Sequence, residues 1–171
     1  MKQQLIKKLK ELGIIKKGKF ILKSGRVSDF YIDLRKAYGE PEILKMISEL
    51  LCEKINNLKE KPNVIAASGY GGISIATLVA NNLNLKLCLV REKSKDHGIE
   101  NLIVGYNPKE DDRILIIDDI FASGTSINKT LDSLKQTPAK ILGALVVIDR
   151  EENPHNIKLN SLLKLSDFIS Q

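Results

Sequence analysis

The chain has 171 residues, 43% of them apolar, which is enough for one domain with its own core. Its net charge of +6 fits either a Lys-rich solvated surface or the attraction of a polyanion, which could be nucleic acid or a phosphorylated metabolite. Only 5% of the residues are aromatic and there is no Trp, so a surface that stacks nucleic-acid bases has little support. No apolar run reaches the roughly 20 residues that span a bilayer, and Lys and Glu interrupt the apolar residues of the N-terminus, so we expect a cytoplasmic protein without a membrane span or secretory signal.

The N-terminal part of the chain is predicted to form two helices on either side of a β-hairpin. Leucines at helical spacing mark one face of the first helix, which ends at Gly13. Residues 19–34 have the β-branched and aromatic content of a strand or hairpin, with turn residues at 23–26. Pro41 then opens a long helix, because proline is well tolerated in a first helical turn.

Short apolar strands then alternate with helices. This alternation is typical of an α/β fold, in which a parallel sheet is covered on both faces by helices. The predicted strands are residues 64–67, 86–90, 113–117 and 141–148. In such sheets ligands bind beyond the carboxyl ends of the strands. The segments predicted at that edge are 68–72, 91–105 and 118–126.

Two acidic residues and a hydroxyl-rich turn follow the third predicted strand. Asp118 and Asp119 are predicted to end that strand, with their side chains on opposite faces, so that one carboxylate can reach a ligand. The turn 120–126 leads into a helix, and its N–H groups and hydroxyls can converge on a phosphate. Carboxylates beside such a phosphate could accept hydrogen bonds from ribose hydroxyls. The same residues also fit a structural role, in which the acids end a strand and Ser123 or Thr125 caps the helix.

Residues 114–126, ILIIDDIFASGTS, resemble the phosphoribosyl pyrophosphate (PRPP) motif of type I phosphoribosyltransferases. The resemblance is specific because an apolar strand, an acidic pair and a small-residue phosphate loop occur together. It implies that family's fold, a central mostly parallel sheet flanked by helices with a small N-terminal hood. It also implies that Asp118 and Asp119 hold the ribose hydroxyls of PRPP and that the loop holds its 5-phosphate. The residues that would bind PRPP after the acidic pair are Ile120, Phe121, Ala122, Ser123, Gly124, Thr125 and Ser126.

Two further segments resemble the orotate phosphoribosyltransferases within that family. Residues 20–35, FILKSGRVSDFYIDLR, are similar to their N-terminal segment, and residues 91–98, REKSKDHG, are similar to their mobile catalytic loop. Cationic and protonatable groups of this loop can stabilise the negative charge of a leaving pyrophosphate. The alternative is a solvated surface loop. The resemblance implies catalytic roles for Arg91, Lys95 and His97, and PRPP contacts for these three and Lys93.

Orotate is a flat ring that carries a carboxylate, so its pocket should offer an apolar face and a guanidinium. Arg150 directly follows the last predicted strand and could bind the carboxylate in bidentate fashion. The resemblance places Lys23, Phe30, Tyr31, Ala122 and Arg150 in this pocket. The alternatives are that Phe30 and Tyr31 belong to the core and that Lys23 and Arg150 form surface ion pairs.

Three positions depart from the family pattern. Ala122 replaces a Thr that often serves the orotate carboxylate, and Glu92 replaces a second loop cation. Gly71 stands where some members have a Lys that contacts pyrophosphate. Backbone N–H groups at Tyr70 and Gly71 can form a pyrophosphate site in its place. These departures bear on substrate affinity more than on the reaction class.

The resemblance covers most of the chain and implies conversion of orotate and PRPP to orotidine 5′-phosphate and pyrophosphate, in pyrimidine (UMP) synthesis. It implies a single domain over residues 1–171, with a hood at 1–40 and a core sheet with the PRPP site at 60–150. Mg²⁺ should arrive on PRPP without protein ligands, and the expected assembly is a homodimer whose loop 91–105 serves the neighbouring subunit. Neither nucleic acid nor a membrane is an expected partner. The alternatives are a transferase for another base, such as a purine, and a non-catalytic PRPP-sensing regulator.

Overall fold

Strands and helices alternate through most of the chain, whose computed structural model describes residues 1–21, 25, 27–91, 102–152 and 156–169. No helix in these ranges is both long and apolar enough to cross a membrane. The strands are β1 (Ile15–Ile21), β2 (Val27–Ile32), β3 (Val64–Ser68), β4 (Lys86–Val90), β5 (Ile103–Gly105), β6 (Arg113–Phe121), β7 (Lys140–Asp149) and β8 (Leu159–Lys164). The helices are α1 (Lys2–Glu11), a 3₁₀ helix (Leu34–Gly39), α2 (Pro41–Asn56), α3 (Gly69–Asn82), α4 (Thr125–Leu134) and α5 (Ser166–Ile169).

The central sheet has six strands in the order β5-β4-β3-β6-β7-β8. All neighbouring strands are parallel except β5, which pairs antiparallel with β4 at one edge. The predicted α/β fold with a mostly parallel sheet is therefore confirmed. Two strands were not predicted from the sequence: β5 has only three residues, and β8 begins with the polar sequence LNS, so neither shows a long apolar run.

Strand β6 is longer than predicted. Its pairing with β7 continues as far as Phe121, so Asp118 and Asp119 lie inside the strand, and the prediction that they follow its end is wrong. The pairing of β6 with β3 on its other side covers only residues 114–116. The last part of β6 therefore has a strand on one side and the start of α3 on the other, and this is where the acidic pair lies.

Apolar side chains of the sheet alternate between two cores. Ile65, Leu115 and Val147 belong to a larger cluster with α1, α2 and α3. Val64 and Ile116, at neighbouring positions, belong to a second cluster that includes α4. Because both faces of a parallel sheet are covered, its strands are apolar at nearly every position, as β3 is.

The N-terminal hairpin and the 3₁₀ helix lie outside the central sheet. Strands β1 and β2 pair antiparallel, which confirms the predicted hairpin, although it begins at Ile15 and not at residue 19. The predicted turn residues other than Gly25 lie outside the described residues. The 3₁₀ helix connects β2 to α2, and its Leu34 and Ala37 are fully buried.

A buried carboxylate ties three segments together at the amino edge of the sheet. Asp112 is 3% exposed and accepts hydrogen bonds from Asn63 Nδ2 (3.0 Å), the Lys109 N–H (2.8 Å) and Lys86 Nζ (2.9 Å). Burial raises the pKa of Asp112, but the hydrogen bonds from Lys109 and Lys86 outweigh it and lower the pKa to about 2. A charged Asp112 therefore holds the starts of β4 and β6 together.

Replacing Asp112 by Ala should lower the free energy of unfolding at pH 7 by about 2 kcal/mol, because Lys86 and Asn63 lose a buried partner. The folded pKa lies below the ordinary value of 3.8, so this contribution is present above pH 3.8 and is lost as the pH falls through about 2. Urea unfolding of both proteins between pH 7 and pH 2 measures the difference and its disappearance.

The matched control is Asp111→Ala at the exposed neighbouring position, which should change the free energy of unfolding by less than about 0.5 kcal/mol. Equal losses for the two variants would contradict the role of the buried carboxylate.

Candidate active site

The amino end of α3 lies at the carboxyl edge of the sheet. β3 ends at Ser68 and α3 begins at Gly69, so residues 69–72, predicted as a turn, form the first turn of the helix. Ser68 occupies the N-cap position, but its hydroxyl makes no cap hydrogen bond and lies 2.7 Å from Thr130 Oγ1. The first N–H groups of α3 therefore have no side-chain cap, which suits the binding of an anion at this end.

Gly71 and Gly72 allow α3 to lie directly against the acidic pair of β6. A Cβ at Gly71 would overlap the carboxylate of Asp119. A Cβ at Gly72 would lie 2.9 Å from Asp118 Oδ1 and 3.0 Å from the Ile117 carbonyl oxygen. A side chain at position 71 would therefore require the Asp119 side chain to turn aside, whereas one at position 72 would also meet the backbone of β6. The sequence prediction identified Gly71 as the position that lacks a Lys, but it missed this close contact with Asp119.

Asp118 and Asp119 differ in burial and in hydrogen bonding. Asp118 is 6% exposed, and its Oδ1 accepts a hydrogen bond from the Asp119 N–H (2.9 Å). Asp119 is half-buried, and its Oδ1 accepts from the Ile120 N–H (2.8 Å). Burial and then the negative charge of Asp119 raise the pKa of Asp118 to about 7, although hydrogen bonds from the Asp119 N–H and the Ser126 hydroxyl oppose the rise. Asp119 is thus the more accessible carboxylate of the pair.

The segment after β6 turns into α4 through a glycine. Gly124 has a φ of +77° and is the N-cap of α4, and this left-handed conformation favours glycine. Gly124 offers no side-chain cap, but Ser123 Oγ accepts a hydrogen bond from the Thr125 N–H (3.4 Å), which agrees in part with the alternative that Ser123 caps α4; Thr125 itself lies inside the helix. Ser123 Oγ and Thr125 Oγ1 lie 2.8 Å apart, and both residues are exposed. Ser126 Oγ lies 3.4 Å from Ser68 Oγ. Exposed hydroxyls and uncapped N–H groups therefore occur together at the start of α4.

Phe121 supports this segment from the core. Its side chain is 3% exposed, and a Cβ at Gly124 would lie 3.1 Å from its ring. Its carbonyl oxygen accepts a hydrogen bond from the Arg150 N–H (2.9 Å). Ile120 and Ala122, on either side of it, are both half-buried. The ring of Phe121 thus packs beneath the predicted phosphate loop.

A residue that sequence reasoning missed joins the 3₁₀ helix to α3. Tyr38 donates a hydrogen bond from its hydroxyl to the Gly71 carbonyl oxygen (2.9 Å). Burial raises the pKa of Tyr38, and the negative charges of Asp119 and Asp118 raise it further, so the hydroxyl keeps its proton at ordinary pH. No sequence motif includes Tyr38, and only the fold brings it to the site.

The arrangement of two uncapped helix starts around an acidic pair can be compared with known proteins. The phosphoribosyl transferase domain family matches residues 35–165 of this chain. An orotate phosphoribosyltransferase from Methanocaldococcus jannaschii is 38% identical, over 99% of this chain and 97% of that protein. The chain belongs to the orotate phosphoribosyltransferase family. This confirms the family inferred from the sequence motifs.

Solved structures agree with this membership. The crystal structure of orotate phosphoribosyltransferase from Aeropyrum pernix is 30% identical and has a TM-score of 0.83, over 97% of this chain and 96% of that one. The UMP synthase of Leishmania donovani, at 24% identity, shares the fold with a TM-score of 0.83, and this chain spans 36% of its length.

The segment that resembles the catalytic loop of orotate phosphoribosyltransferases begins at Arg91. Arg91 follows β4, is exposed, and donates its N–H to the Leu102 carbonyl oxygen (2.9 Å). Within the predicted loop segment 91–105, residues 103–105 form β5 and are not loop. The predictions for Lys23, Lys93, Lys95 and His97 lie outside the described residues.

Arg150 is buried, although the sequence placed it at an open edge. It is 4% exposed, and its Nη2 donates to Ser28 Oγ (2.6 Å), the Phe30 carbonyl oxygen (2.9 Å) and Glu152 Oε1 (2.7 Å). The alternative of a surface ion pair is wrong, because the guanidinium lies beneath β2. Its Nε is buried without a hydrogen-bond partner. Arg150 therefore links the end of β7 to the N-terminal hairpin.

Phe30 and Tyr31 lie next to each other on β2. Phe30 is half-buried and packs against the larger core cluster, as its structural alternative predicted. The Tyr31 ring lies 5.6 Å from the Phe20 ring, and its hydroxyl accepts a hydrogen bond from Arg35 Nη2 (3.3 Å). Tyr31 thus connects the hairpin to the 3₁₀ helix.

Replacing Asp118 by Asn should stabilise the folded protein above neutral pH, because it removes a charge that is buried beside Asp119. The folded pKa of about 7 exceeds the ordinary 3.8, so the contribution of Asp118 to stability is full below pH 3.8 and is lost as the pH rises through 7. We expect Asp118→Asn to melt about 4 °C above the wild type at pH 8. The difference should be much smaller at pH 5, and scanning calorimetry at both pH values measures it.

Asp132→Asn is the control, because the Asp132 side chain is 71% exposed. Its replacement should have the same effect on the melting temperature at pH 5 and at pH 8. A gain for Asp118→Asn that is equal at pH 5 and pH 8 would contradict the argument from burial.

Proposed function

We propose that this protein transfers the 5-phosphoribosyl group of PRPP to orotate, which gives orotidine 5′-phosphate and pyrophosphate in pyrimidine synthesis. The observation that carries the proposal is the acidic pair of β6 flanked by the uncapped starts of α3 and α4. Each helix start suits a phosphate group, and the carboxylates suit the hydroxyls of a sugar. PRPP has this arrangement, because its ribose carries a phosphate at one end and a pyrophosphate at the other.

The start of α4 is the proposed site of the 5-phosphate. The N–H groups of its first turn and the segment 120–124 before it would donate to the phosphate oxygens. The hydroxyls of Ser123 and Thr125 are exposed and close enough to each other to act on the same phosphate. Ser126 contributes its backbone N–H, since its hydroxyl hydrogen bonds to Asp118 and lies beside Ser68.

The acidic pair is the proposed site of the ribose. Asp119 is the carboxylate that would accept hydrogen bonds from the ribose hydroxyls, because it is only half-buried. Asp118 holds the Asp119 N–H in place and offers a second acceptor at the base of the site. The pyrophosphate would then lie at the start of α3, where the Tyr70 and Gly71 N–H groups have no side-chain cap.

The reaction requires positioning and charge stabilisation more than a nucleophile. Members of this family pass through an oxocarbenium-like ribosyl transition state, so negative charge builds up on pyrophosphate as its bond to the ribose breaks. Arg91, Lys93, Lys95 and His97 are proposed to close over the pyrophosphate and neutralise this charge. Arg91 is already exposed at the carboxyl end of β4, on the required edge of the sheet.

The proposed orotate pocket lies between the hairpin and the end of β7. Lys23, Phe30, Tyr31, Ala122 and Arg150 are its proposed residues. Arg150 holds the Phe30 carbonyl oxygen, so it fixes the backbone on which the base would rest. Its Nη2 is already paired with Glu152, so its Nε, which has no partner, is the donor that would favour a carboxylate ligand over a neutral base. Arg150 would therefore have two roles: it holds the hairpin in position, and it favours the carboxylate of orotate.

Magnesium fits the oxygen-rich site as a companion of PRPP. Mg²⁺ prefers oxygen ligands and retains several waters, and the acidic pair supplies only carboxylate oxygens. Within the residues that the structure describes, no group of three or more His, Cys, Asp or Glu side chains could hold a metal ion. When bound, Mg²⁺ would neutralise part of the pyrophosphate charge. Cytoplasmic location, a single domain, and a homodimer with the loop 91–105 acting across its interface stay predictions.

The decisive assay follows the loss of orotate ultraviolet absorbance after PRPP and Mg²⁺ are added to the purified protein. We expect turnover with orotate that depends on PRPP and releases pyrophosphate. Turnover with a purine but none with orotate would replace the proposal with a transferase for another base. Tight, salt-sensitive nucleic-acid binding without any turnover would instead support a regulator.

Asp119→Asn should raise the Michaelis constant for PRPP about ten-fold, because the neutral amide is a weaker acceptor for the ribose hydroxyls. The affinity for orotate should change by less than about two-fold, since the base does not contact this carboxylate. Steady-state kinetics with each substrate varied in turn measures both constants.

Asp111→Asn removes the same charge at an exposed position on the opposite edge of the sheet and should leave both constants unchanged. An unaltered Michaelis constant for PRPP in Asp119→Asn would rule out the ribose role of Asp119.

A further inference from the structure

The start of α3 carries no cationic side chain. Its first turn consists of Gly69, Tyr70, Gly71 and Gly72, and a Cβ at position 71 would overlap the Asp119 carboxylate. No Lys or Arg occurs in this turn, and the Asp119 carboxylate occupies the space that a side chain at position 71 would need. If a pyrophosphate lies at this helix start, a same-chain cation must come from another element.

The 3₁₀ helix also contacts this helix start, through Tyr38. In a 3₁₀ helix residues three apart lie one above the other, which divides the six residues Leu34–Gly39 into three faces. Leu34 and Ala37 form the face that is buried in the core. Arg35 and Tyr38 form the second face, and Lys36 lies on the third.

Tyr38 fixes the second face against α3. Its hydroxyl donates to the Gly71 carbonyl oxygen at 2.9 Å. Arg35 lies one turn before Tyr38, so its side chain leaves the 3₁₀ helix on the same face, the one that contacts α3. Lys36 points elsewhere, since its Nζ donates to the Gly13 carbonyl oxygen after α1 (3.1 Å).

The guanidinium of Arg35 is held in place but stays accessible. Its Nε donates to Asp33 Oδ1 (3.0 Å) and its Nη2 to the Tyr31 hydroxyl (3.3 Å), while the side chain is 59% exposed. The hydrogen bond and charge of Asp33 raise the pKa of Arg35, and the charges of Tyr31 and Asp119 add to the rise. Tyr38, on the same face of the 3₁₀ helix, binds Gly71, and Gly71 lies directly against Asp119, so the face that carries Arg35 is turned toward the acidic pair.

We propose that Arg35 is a further PRPP-binding residue, which contacts the pyrophosphate group and supplies the same-chain cation that Gly71 does not. This inference rests on the proposed function for the identity of the ligand. A guanidinium can donate two parallel hydrogen bonds to a phosphate, so an Arg held by Asp33 and Tyr31 would bind the group with little loss of side-chain freedom. The acidic residues nearby would otherwise repel a pyrophosphate, and Arg35 offsets that repulsion.

Arg35→Gln and Lys36→Gln are a matched pair, because each removes one positive charge from the 3₁₀ helix but on different faces. Isothermal titration of each variant with inorganic pyrophosphate and Mg²⁺ measures the contact without any base. Arg35→Gln should weaken pyrophosphate binding about ten-fold and Lys36→Gln less than two-fold. Arg35→Lys should fall between them, because it keeps the charge but loses the paired donors.

Kinetics provides the second readout. Arg35→Gln should raise the Michaelis constant for PRPP about ten-fold and change that for orotate by less than about two-fold. A loss of fold would instead lower the melting temperature and change the kinetics with both substrates. Equal pyrophosphate affinities for Arg35→Gln and Lys36→Gln would overturn the inference. If the wild type binds pyrophosphate but does not consume orotate, the proposed function fails, and the calorimetric comparison still decides the role of Arg35.

Discussion

The direct contact between the start of α3 and the acidic pair of β6 is the constraint on which the site depends. Gly71 and Gly72 have no side chain to separate the helix from Asp119 and Asp118. This contact brings uncapped N–H groups next to two carboxylates. The donors that can bind an anion therefore lie beside the acceptors that can bind sugar hydroxyls. The contact also explains why β6 can continue past β3: α3 takes the place of a neighbouring strand there.

The same contact has an energetic cost that other parts of the fold offset. Burial of Asp118 beside Asp119 opposes its ionisation, and hydrogen bonds from the Asp119 N–H and the Ser126 hydroxyl reduce the penalty. Tyr38 binds the Gly71 carbonyl oxygen and keeps α3 in place. Arg150 keeps the hairpin in place through hydrogen bonds to Ser28 and Phe30. Half-buried Tyr38 and buried Arg150 thus fix the two elements that flank the site, and their hydrogen bonds join segments far apart in sequence.

The sequence predicted the sheet well because buried parallel strands are apolar at nearly every position, and β3 and β6 show this pattern plainly. The prediction missed strands whose local sequence pattern is weak. β5 has three residues and β8 begins with polar ones, so only pairing with β4 and β7 makes them strands. The prediction also ended β6 too early, because the two acids interrupt an apolar run, whereas the pairing with β7 continues through them.

By itself the sequence determined the family, through the strand, acidic pair and small-residue loop at 114–126 and through two further motifs. These residues are contiguous, so their spacing alone carries the information. The tertiary structure decided what no contiguous motif includes: that Gly71 lies directly against the Asp119 carboxylate, that Arg150 is buried under β2, and that Tyr38 binds the start of α3. The physical reason is that each of these roles depends on contacts between elements, which exist only after the chain has folded.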